Sequence, residues 1–290
     1  TMHQTMLFFT RKGRCYWLKC YEIPEGDKNF KGRAIQNMLN IDPDDSVNAL
    51  LRLRGLNDEE FVKSHYVVFA TKNGTVKKTS LEAYSRPRTN GVNAINIVEG
   101  DEVVDVRLTN GKNEIILANR NGRAVRFDED SIRTMGRVST GVRGMKLDEG
   151  DDEVVGMIVV NNAETETVMV VSENGYGKRS QVEDYRKTNR GGKGVKTFSI
   201  TEKTGRLVAI KNVTDDNDLM IINKSGIAIR LAVSECRVMG RATQGVRLIN
   251  LSKKNDVIAS VCKVMSSEKE ADVEGDKDDE TSQPLNPPTA

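Results

Sequence analysis

Short apolar runs recur along the chain, each followed by a polar pair and a glycine. The runs are Met6 to Phe9, Val67 to Phe69, Ile115 to Leu117, Val168 to Val171 and Leu219 to Ile222; the glycines are Gly13, Gly74, Gly122, Gly175 and Gly226. Asn73, Asn121, Asn174 and Ser225 precede four of these glycines, and Lys12 precedes the first. This is hairpin chemistry, because such turns need a residue that tolerates positive φ. A second glycine follows 17 or 19 residues later: Gly32, Gly91, Gly141, Gly194 and Gly245. After it the pattern predicts an alternating strand, as at 92–97 and 246–251. An acidic turn then leads to one more strand, at 47–53, 103–108, 154–160, 207–213 and 257–264. Polar stretches at 80–84, 128–132, 181–185 and 232–236 read as single helical turns. An acidic insert at 55–65 lengthens the first interval.

Each unit therefore reads as four short strands, and a unit of about fifty residues cannot bury both its faces alone. The expected fold is all-β: a propeller-like disc of four-stranded blades, with five repeats visible. The repeats span about 5–54, 66–110, 113–160, 167–213 and 218–264, within one domain over 1–265. Two units agree almost residue for residue. Arg133, Met135, Gly136, Arg137, Gly141, Val142 and Arg143 correspond to Arg237, Met239, Gly240, Arg241, Gly245, Val246 and Arg247. The apolar runs are expected to line the packed interior, and Tyr16 and Trp17 to be core residues rather than a ligand cage.

Charge changes the picture more than composition does. The chain of 290 residues carries a net charge of only +2, but that charge is segregated. Residues 266–290 hold eight acids against Lys269 and Lys277, which leaves 42 basic and 34 acidic residues, a net of +8, in 1–265. A basic body with an acidic tail suits a nucleic-acid binder whose tail competes for the same surface. The tail has no aromatic residue and is expected to be disordered. No apolar run is long enough to span a bilayer. Cys15, Cys20, Cys236 and Cys262 lack CxxC spacing and the histidines are only His3 and His65, so a zinc site is not expected and reduced cytosolic thiols are. No nucleophile elbow, phosphate loop or paired histidine points to catalysis.

The cations keep register with the glycines. Lys78, Arg126, Arg179 and Arg230 lie four residues beyond the first glycine. Lys28, Arg137, Arg190 and Arg241 lie four before the second, with Arg86 and Arg88 flanking that place in the second unit; Arg143, Lys196 and Arg247 lie two after it. Repeated around a disc, one basic position becomes a positive belt. Such a belt neutralises phosphates with little base readout, and no aromatics alternate with the cations as a single-strand stacking platform requires. The predicted partner is duplex DNA bent around the rim, held by about ten phosphate contacts with a log–log salt slope near −9. The candidate DNA-binding residues are Arg86, Arg88, Arg133, Arg137, Arg143, Arg186, Lys187, Arg190, Lys193, Lys196, Arg237, Arg241 and Arg247. The competing class is a propeller serving as a protein-interaction platform, which predicts apolar or mixed-charge loops in place of a basic rim.

Several stretches, in combination with the glycine frame, resemble one family over residues 5–264. They are Phe8-Phe9-Thr10-Arg11-Lys12-Gly13-Arg14, Tyr21-Glu22-Ile23-Pro24-Glu25, Asn73-Gly74-Thr75-Val76-Lys77-Lys78-Thr79, Met135-Gly136-Arg137, Thr140-Gly141-Val142-Arg143-Gly144 and Asn174-Gly175-Tyr176-Gly177-Lys178-Arg179. The family is the C-terminal DNA-wrapping domain of bacterial DNA gyrase A, and the C-terminal domain of topoisomerase IV is the related alternative. The resemblance implies a β-pinwheel whose blades exchange strands and whose edge wraps duplex DNA for ATP-dependent negative supercoiling. It implies a non-catalytic domain without its own cofactor, ATP and Mg acting elsewhere in the holoenzyme. It implies as partners the rest of gyrase A and gyrase B in a cytoplasmic, nucleoid-associated A2B2 assembly. The family has six blades, so a sixth is expected upstream of Thr1. That blade carries the family's Gln-Arg-Arg-Gly-Gly-Lys-Gly box. The nearest match here, Asn189-Arg190-Gly191-Gly192-Lys193-Gly194, lies in the fourth repeat.

Overall fold

Positive φ sets the hairpins. In the computed structural model, which describes residues 3–26, 31–53, 55–251 and 256–266, all five first glycines have φ between 79° and 85°. The N–H of Gly13 bonds the Thr10 carbonyl at 3.0 Å, and that of Gly74 bonds Thr71 at 3.0 Å. Each turn joins two antiparallel strands. The five pairs are Thr5–Thr10 with Arg14–Lys19, Tyr66–Thr71 with Thr75–Ser80, Glu114–Asn119 with Arg123–Asp128, Thr167–Ser172 with Tyr176–Gln181, and Asn217–Asn223 with Ala228–Ala232.

On one side each hairpin pairs with the last strand of its own repeat: Val47–Leu53, Val103–Thr109, Val154–Val160, Leu207–Val213 and Ile258–Met265. Side chains link successive members of this set. Asn48 donates to the Val103 carbonyl at 2.6 Å, and Asn212 to the Val159 carbonyl at 3.2 Å. On the other side, the edge strand comes from the next repeat. Val92–Asn93, Val142–Arg143, Val195–Lys196 and Val246–Arg247 each close the preceding sheet. Four sheets thus have four strands, and among the described residues the fifth has three.

One sequence expectation changes here: the strand after the second glycine is two residues long, not six. It belongs to the neighbouring sheet, which is the strand exchange that the family resemblance implies and periodicity does not. The cause is the first glycine of the preceding repeat, whose carbonyl captures two successive N–H groups and turns the chain away. Gly13 takes Ala94 and Ile95, Gly74 takes Gly144 and Met145, Gly122 takes Thr197 and Phe198, and Gly175 takes Leu248 and Ile249. The helical turns fall where the pattern puts them, as 3₁₀ turns at Leu81–Tyr84, Glu129–Ser131, Val182–Asp184 and Val233–Glu235.

The apolar runs are buried between sheets. Phe9 meets Phe69 and Tyr84 edge-on, with centroids 5.3 and 5.9 Å apart, between the first and second sheets. Val168, Val170, Tyr185 and Phe198 pack against Ile116 and Ala118 between the third and fourth. Tyr16 is buried, while Trp17 is half-buried and donates its indole N–H to the Tyr84 carbonyl at 2.9 Å. The acidic insert holds one helix, Glu59–Ser64, capped by Asp58 accepting from the Phe61 N–H. No helix among the described residues is long and apolar enough to cross a membrane. The acidic tail from 267 onward, Asp27 and Lys28 lie outside the described residues.

Candidate nucleic-acid interface

Strand exchange has a direct consequence for the loops that precede the second glycines. Each loop must cross the outer edge of the preceding sheet to deliver its two-residue strand. The loops therefore meet one another. The Asn96 N–H bonds Ser139 O at 3.1 Å, the Gly191 N–H bonds Gly144 O at 2.7 Å, and the Ser199 N–H bonds Thr243 O at 3.1 Å. From the second repeat to the fifth the rim is one hydrogen-bonded run of backbone, and cations placed in equivalent loops are placed in series.

The cations fall into three groups. Arg133, Arg186 and Arg237 lie at one repeated position and are exposed; Arg86, Arg88, Arg143, Lys196 and Arg247 are also exposed. None of these eight has a carboxylate within ion-pairing distance among the described residues. The Arg247 guanidinium lies over the Tyr176 ring and donates to its hydroxyl at 3.0 and 3.2 Å. Here a ring and a hydroxyl orient the guanidinium without neutralising it.

Arg137, Arg190 and Arg241 form a second group, half-buried and tied to the backbone of the preceding repeat. Arg137 donates to the Ala83 carbonyl at 3.3 Å and Arg241 to Lys196 at 2.6 Å. Arg190 donates to both Ser131 and Arg143 at 2.9 Å. These side chains brace the loops as well as charging them.

In the third group the charge is compensated within the molecule. Lys187 pairs with Glu114 at 2.7 Å and Asp128 at 2.8 Å, and these carboxylates, Asp128 first, raise its pKa. Lys193 pairs with Asp148 at 3.2 Å. The row four residues beyond the first glycine is internal too. Lys78 meets Glu129 at 3.6 Å, Arg126 meets Glu114 at 2.5 Å, Arg179 meets Asp215 at 2.5 Å and Arg230 meets Asp218 at 2.6 Å. Lys78 reaches the next blade through Glu129, and Arg126 and Arg179 donate to the Val182, Tyr185 and Val233 carbonyls of the next repeat, whereas Arg230 bonds within its own sheet; the row adds no free charge to the belt.

Sequence reasoning missed Lys77 and Lys178, three residues beyond their first glycines. Both are fully buried. Burial drives each pKa down to about 7, from an ordinary 10.5. Strand alternation was the available signal: in Lys77-Lys78 and Lys178-Arg179 adjacent cations must face opposite sides of the sheet, so one of each pair points inward. An unfolded lysine keeps its proton to about 10.5, whereas these lose theirs near 7. The unfolded chain therefore binds more protons over that window, and stability rises with pH across it. Chemical denaturation of the wild type and of the Lys77→Met, Lys178→Met double variant is expected to show this rise in the wild type and a smaller one in the variant.

Among the described residues no group of three or more His, Cys, Asp or Glu side chains is placed to hold a metal ion. The clefts between loops are open and small, and one is lined by Arg186, Thr188, Asn189, Gly192 and Lys193. The arrangement is an extended charged surface.

Comparison with known proteins gives a consistent family. The model of the DNA gyrase C-terminal domain, beta-propeller, matches residues 4–54, 65–110, 113–161, 166–214 and 217–262. The chain is 43% identical over 279 residues to the DNA gyrase A protein of Staphylococcus aureus (strain MRSA252), covering 96% of this chain and 30% of that protein. It is 44% identical over 262 residues to the counterpart from strain NCTC 8325 / PS 47, covering 90% and 29%. The chain thus spans under a third of the length of these relatives. Among solved structures, a DNA topoisomerase IV C-terminal domain superposes with a TM-score of 0.82 at 26% identity, covering 97% of this chain and 85% of that one. A DNA gyrase A C-terminal domain superposes at 0.77 with 24% identity, covering 91% and 84%, a likeness of fold.

Proposed function

Because the chain belongs to the DNA gyrase C-terminal, β-propeller domain family, we propose that it is the DNA-wrapping part of a gyrase A protein. It binds duplex DNA along its rim and bends it. The duplex path then returns a neighbouring segment to the cleavage core supplied by the rest of gyrase A, acting with gyrase B in an A2B2 enzyme. In this role the domain makes and breaks no covalent bond, and ATP and Mg act elsewhere in the holoenzyme. The topoisomerase IV reading shares the fold, and its solved domain is 26% identical where that of gyrase A is 24%; the gyrase reading is favoured by the family model and by the 43–44% identity to the Staphylococcus aureus gyrase A proteins.

The observation that carries this proposal is the series of eight exposed, uncompensated cations on hydrogen-bonded rim loops. A backbone-following belt suits a polyanion of regular charge spacing and reads little sequence. Eight contacts, in place of the ten expected from sequence, give a log–log salt slope near −7. Bending a 20–30 base-pair site costs roughly 1–6 kcal/mol, a cost that several charge-assisted contacts offset.

Titration of a random-sequence duplex across a salt series tests the reading. The expected slope lies near −7 and is indifferent to base sequence. A slope shallower than about −3 would leave fewer than four phosphate contacts and favour a protein-interaction platform.

A further inference from the structure

The buried lysines, Lys77 and Lys178, present no charge at the surface of the belt. Lys77 Nζ donates to the Ala94 and Arg137 carbonyls at 2.5 and 2.6 Å, and Lys178 Nζ donates to the Gly240 carbonyl at 2.8 Å. Arg137 and Gly240 both belong to rim loops delivered by the next repeat. Neither amine has a carboxylate within ion-pairing distance among the described residues. Lys77 faces the Phe69 ring at 5.4 Å, the Arg137 guanidinium and the Tyr84 hydroxyl, which shares the Ala94 carbonyl. Lys178 faces Asp184 and Arg241.

The two lysines are distributed selectively among the sheets. The two loops held this way are the near-identical pair, Arg133 to Arg143 and Arg237 to Arg247. In the sheet between them the equivalent position is Val125, and the loop crossing it is the glycine-rich Asn189 to Gly194 segment. That loop is held by backbone bonds, Gly191 N–H to Gly144 O and Lys146 N–H to Gly192 O, and by Arg190 donating to two carbonyls where Arg137 and Arg241 donate to one each. A buried lysine thus accompanies one loop type and is absent under the other.

Burial of an amine without a counter-ion opposes folding, and an apolar side chain of similar length would pack there at lower cost. Stability does not explain these residues; the carbonyls they hold do. We propose that Lys77 and Lys178 are positioning residues for DNA binding, clamping the Arg137 and Arg241 loops from beneath so that their exposed arginines face the duplex. The proposal rests on the rim being the DNA-binding surface.

The test is a pair of double-mutant cycles read by duplex affinity over a salt series, with thermal denaturation of every variant. Lys77→Met is expected to leave the melting temperature unchanged or raised, while the salt slope flattens by about one. Its effect should overlap that of Arg133→Ala, in the clamped loop, so that the double variant binds as the weaker single does. With Arg186→Ala, in the unclamped loop, the effects should add. Lys178→Met with Arg237→Ala repeats the cycle in the fourth sheet. Additivity in both clamped pairs, an unchanged affinity for Lys77→Met and Lys178→Met, or variants that fail to fold would each overturn the assignment, the last by making the lysines elements of stability. A wild-type protein without a steep salt slope would instead overturn the DNA-binding reading itself.

Discussion

Alanine at Arg133, Arg186 and Arg237 together is expected to weaken duplex binding about a hundredfold at 0.15 M salt and to flatten the log–log slope by about three. These arginines lie at one repeated position on three consecutive loops, are exposed, and have no carboxylate within ion-pairing distance among the described residues. Each can neutralise a phosphate without first losing an internal partner. The half-buried row Arg137, Arg190 and Arg241 would be a poorer choice, because truncation there also removes bonds to the Ala83, Ser131, Arg143 and Lys196 carbonyls. Loss of loop geometry would then be mixed with loss of charge. Lys187→Ala supplies the control: its charge is already met by Glu114 and Asp128, so the slope should move by less than about half a unit. Anisotropy titrations of the variants, each with a wild-type circular dichroism spectrum, read the outcome. Equal losses for Lys187→Ala and any one of the three would contradict the division of the rim into free and compensated cations.

Gly194→Ala is expected to destabilise the protein by about 3 kcal/mol or more, through the exchanged strand and not through charge. Gly194 has φ +73°, and a Cβ there would lie 2.3 Å from the Ala124 carbonyl oxygen, in the backbone of the sheet that receives the strand. Left-handed backbone costs a non-glycine residue roughly 1–2 kcal/mol. The clash adds to this, since neither backbone can move without breaking the pairing of Val195 with Ala124. Gly245 repeats the arrangement, 2.4 Å from the Gly177 carbonyl oxygen. Gly192, two residues before Gly194, is the internal control. It is exposed, and a Cβ there would meet nothing closer than 3.8 Å. Gly192→Ala should change stability by less than about 0.5 kcal/mol. Urea melts separate the two, and a Gly194→Ala midpoint equal to that of the wild type would mean that the strand is not seated on Ala124.

Turn chemistry is why so much of the fold was legible in the sequence. A glycine needed at φ near 80° admits little else, so Gly74 or Gly175 fixes a hairpin, and the apolar runs before it fix the buried strands. The mainly apolar segments after the acidic turns, 154–160 and 207–213, match those strands residue for residue. Strand exchange was not legible from periodicity. Val195–Lys196 pairs for only two residues, and nothing local shows that its partner is Arg123-Ala124 of the preceding repeat; only the family resemblance implied it. The belt was legible as a register of cations, but register does not distinguish a free cation from a paired one. Arg126 and Arg186 look alike along the chain, yet Glu114 and the Val182 and Tyr185 carbonyls take the first. Lys77 and Lys178 were hidden for a related reason: cation-rich segments invite a surface assignment, although strand geometry sends alternate side chains inward.

Curvature of the bound duplex tests the central claim most directly. A random-sequence duplex of about 30 base pairs, well below the persistence length of DNA, carries a donor at one end and an acceptor at the other. Rim wrapping predicts that energy transfer rises as the protein binds, falls back as salt releases it, and stays low with the Arg133, Arg186, Arg237 triple variant at the same concentration. Saturated binding with transfer unchanged from the free duplex would mean that the DNA lies straight, and would contradict wrapping around the rim.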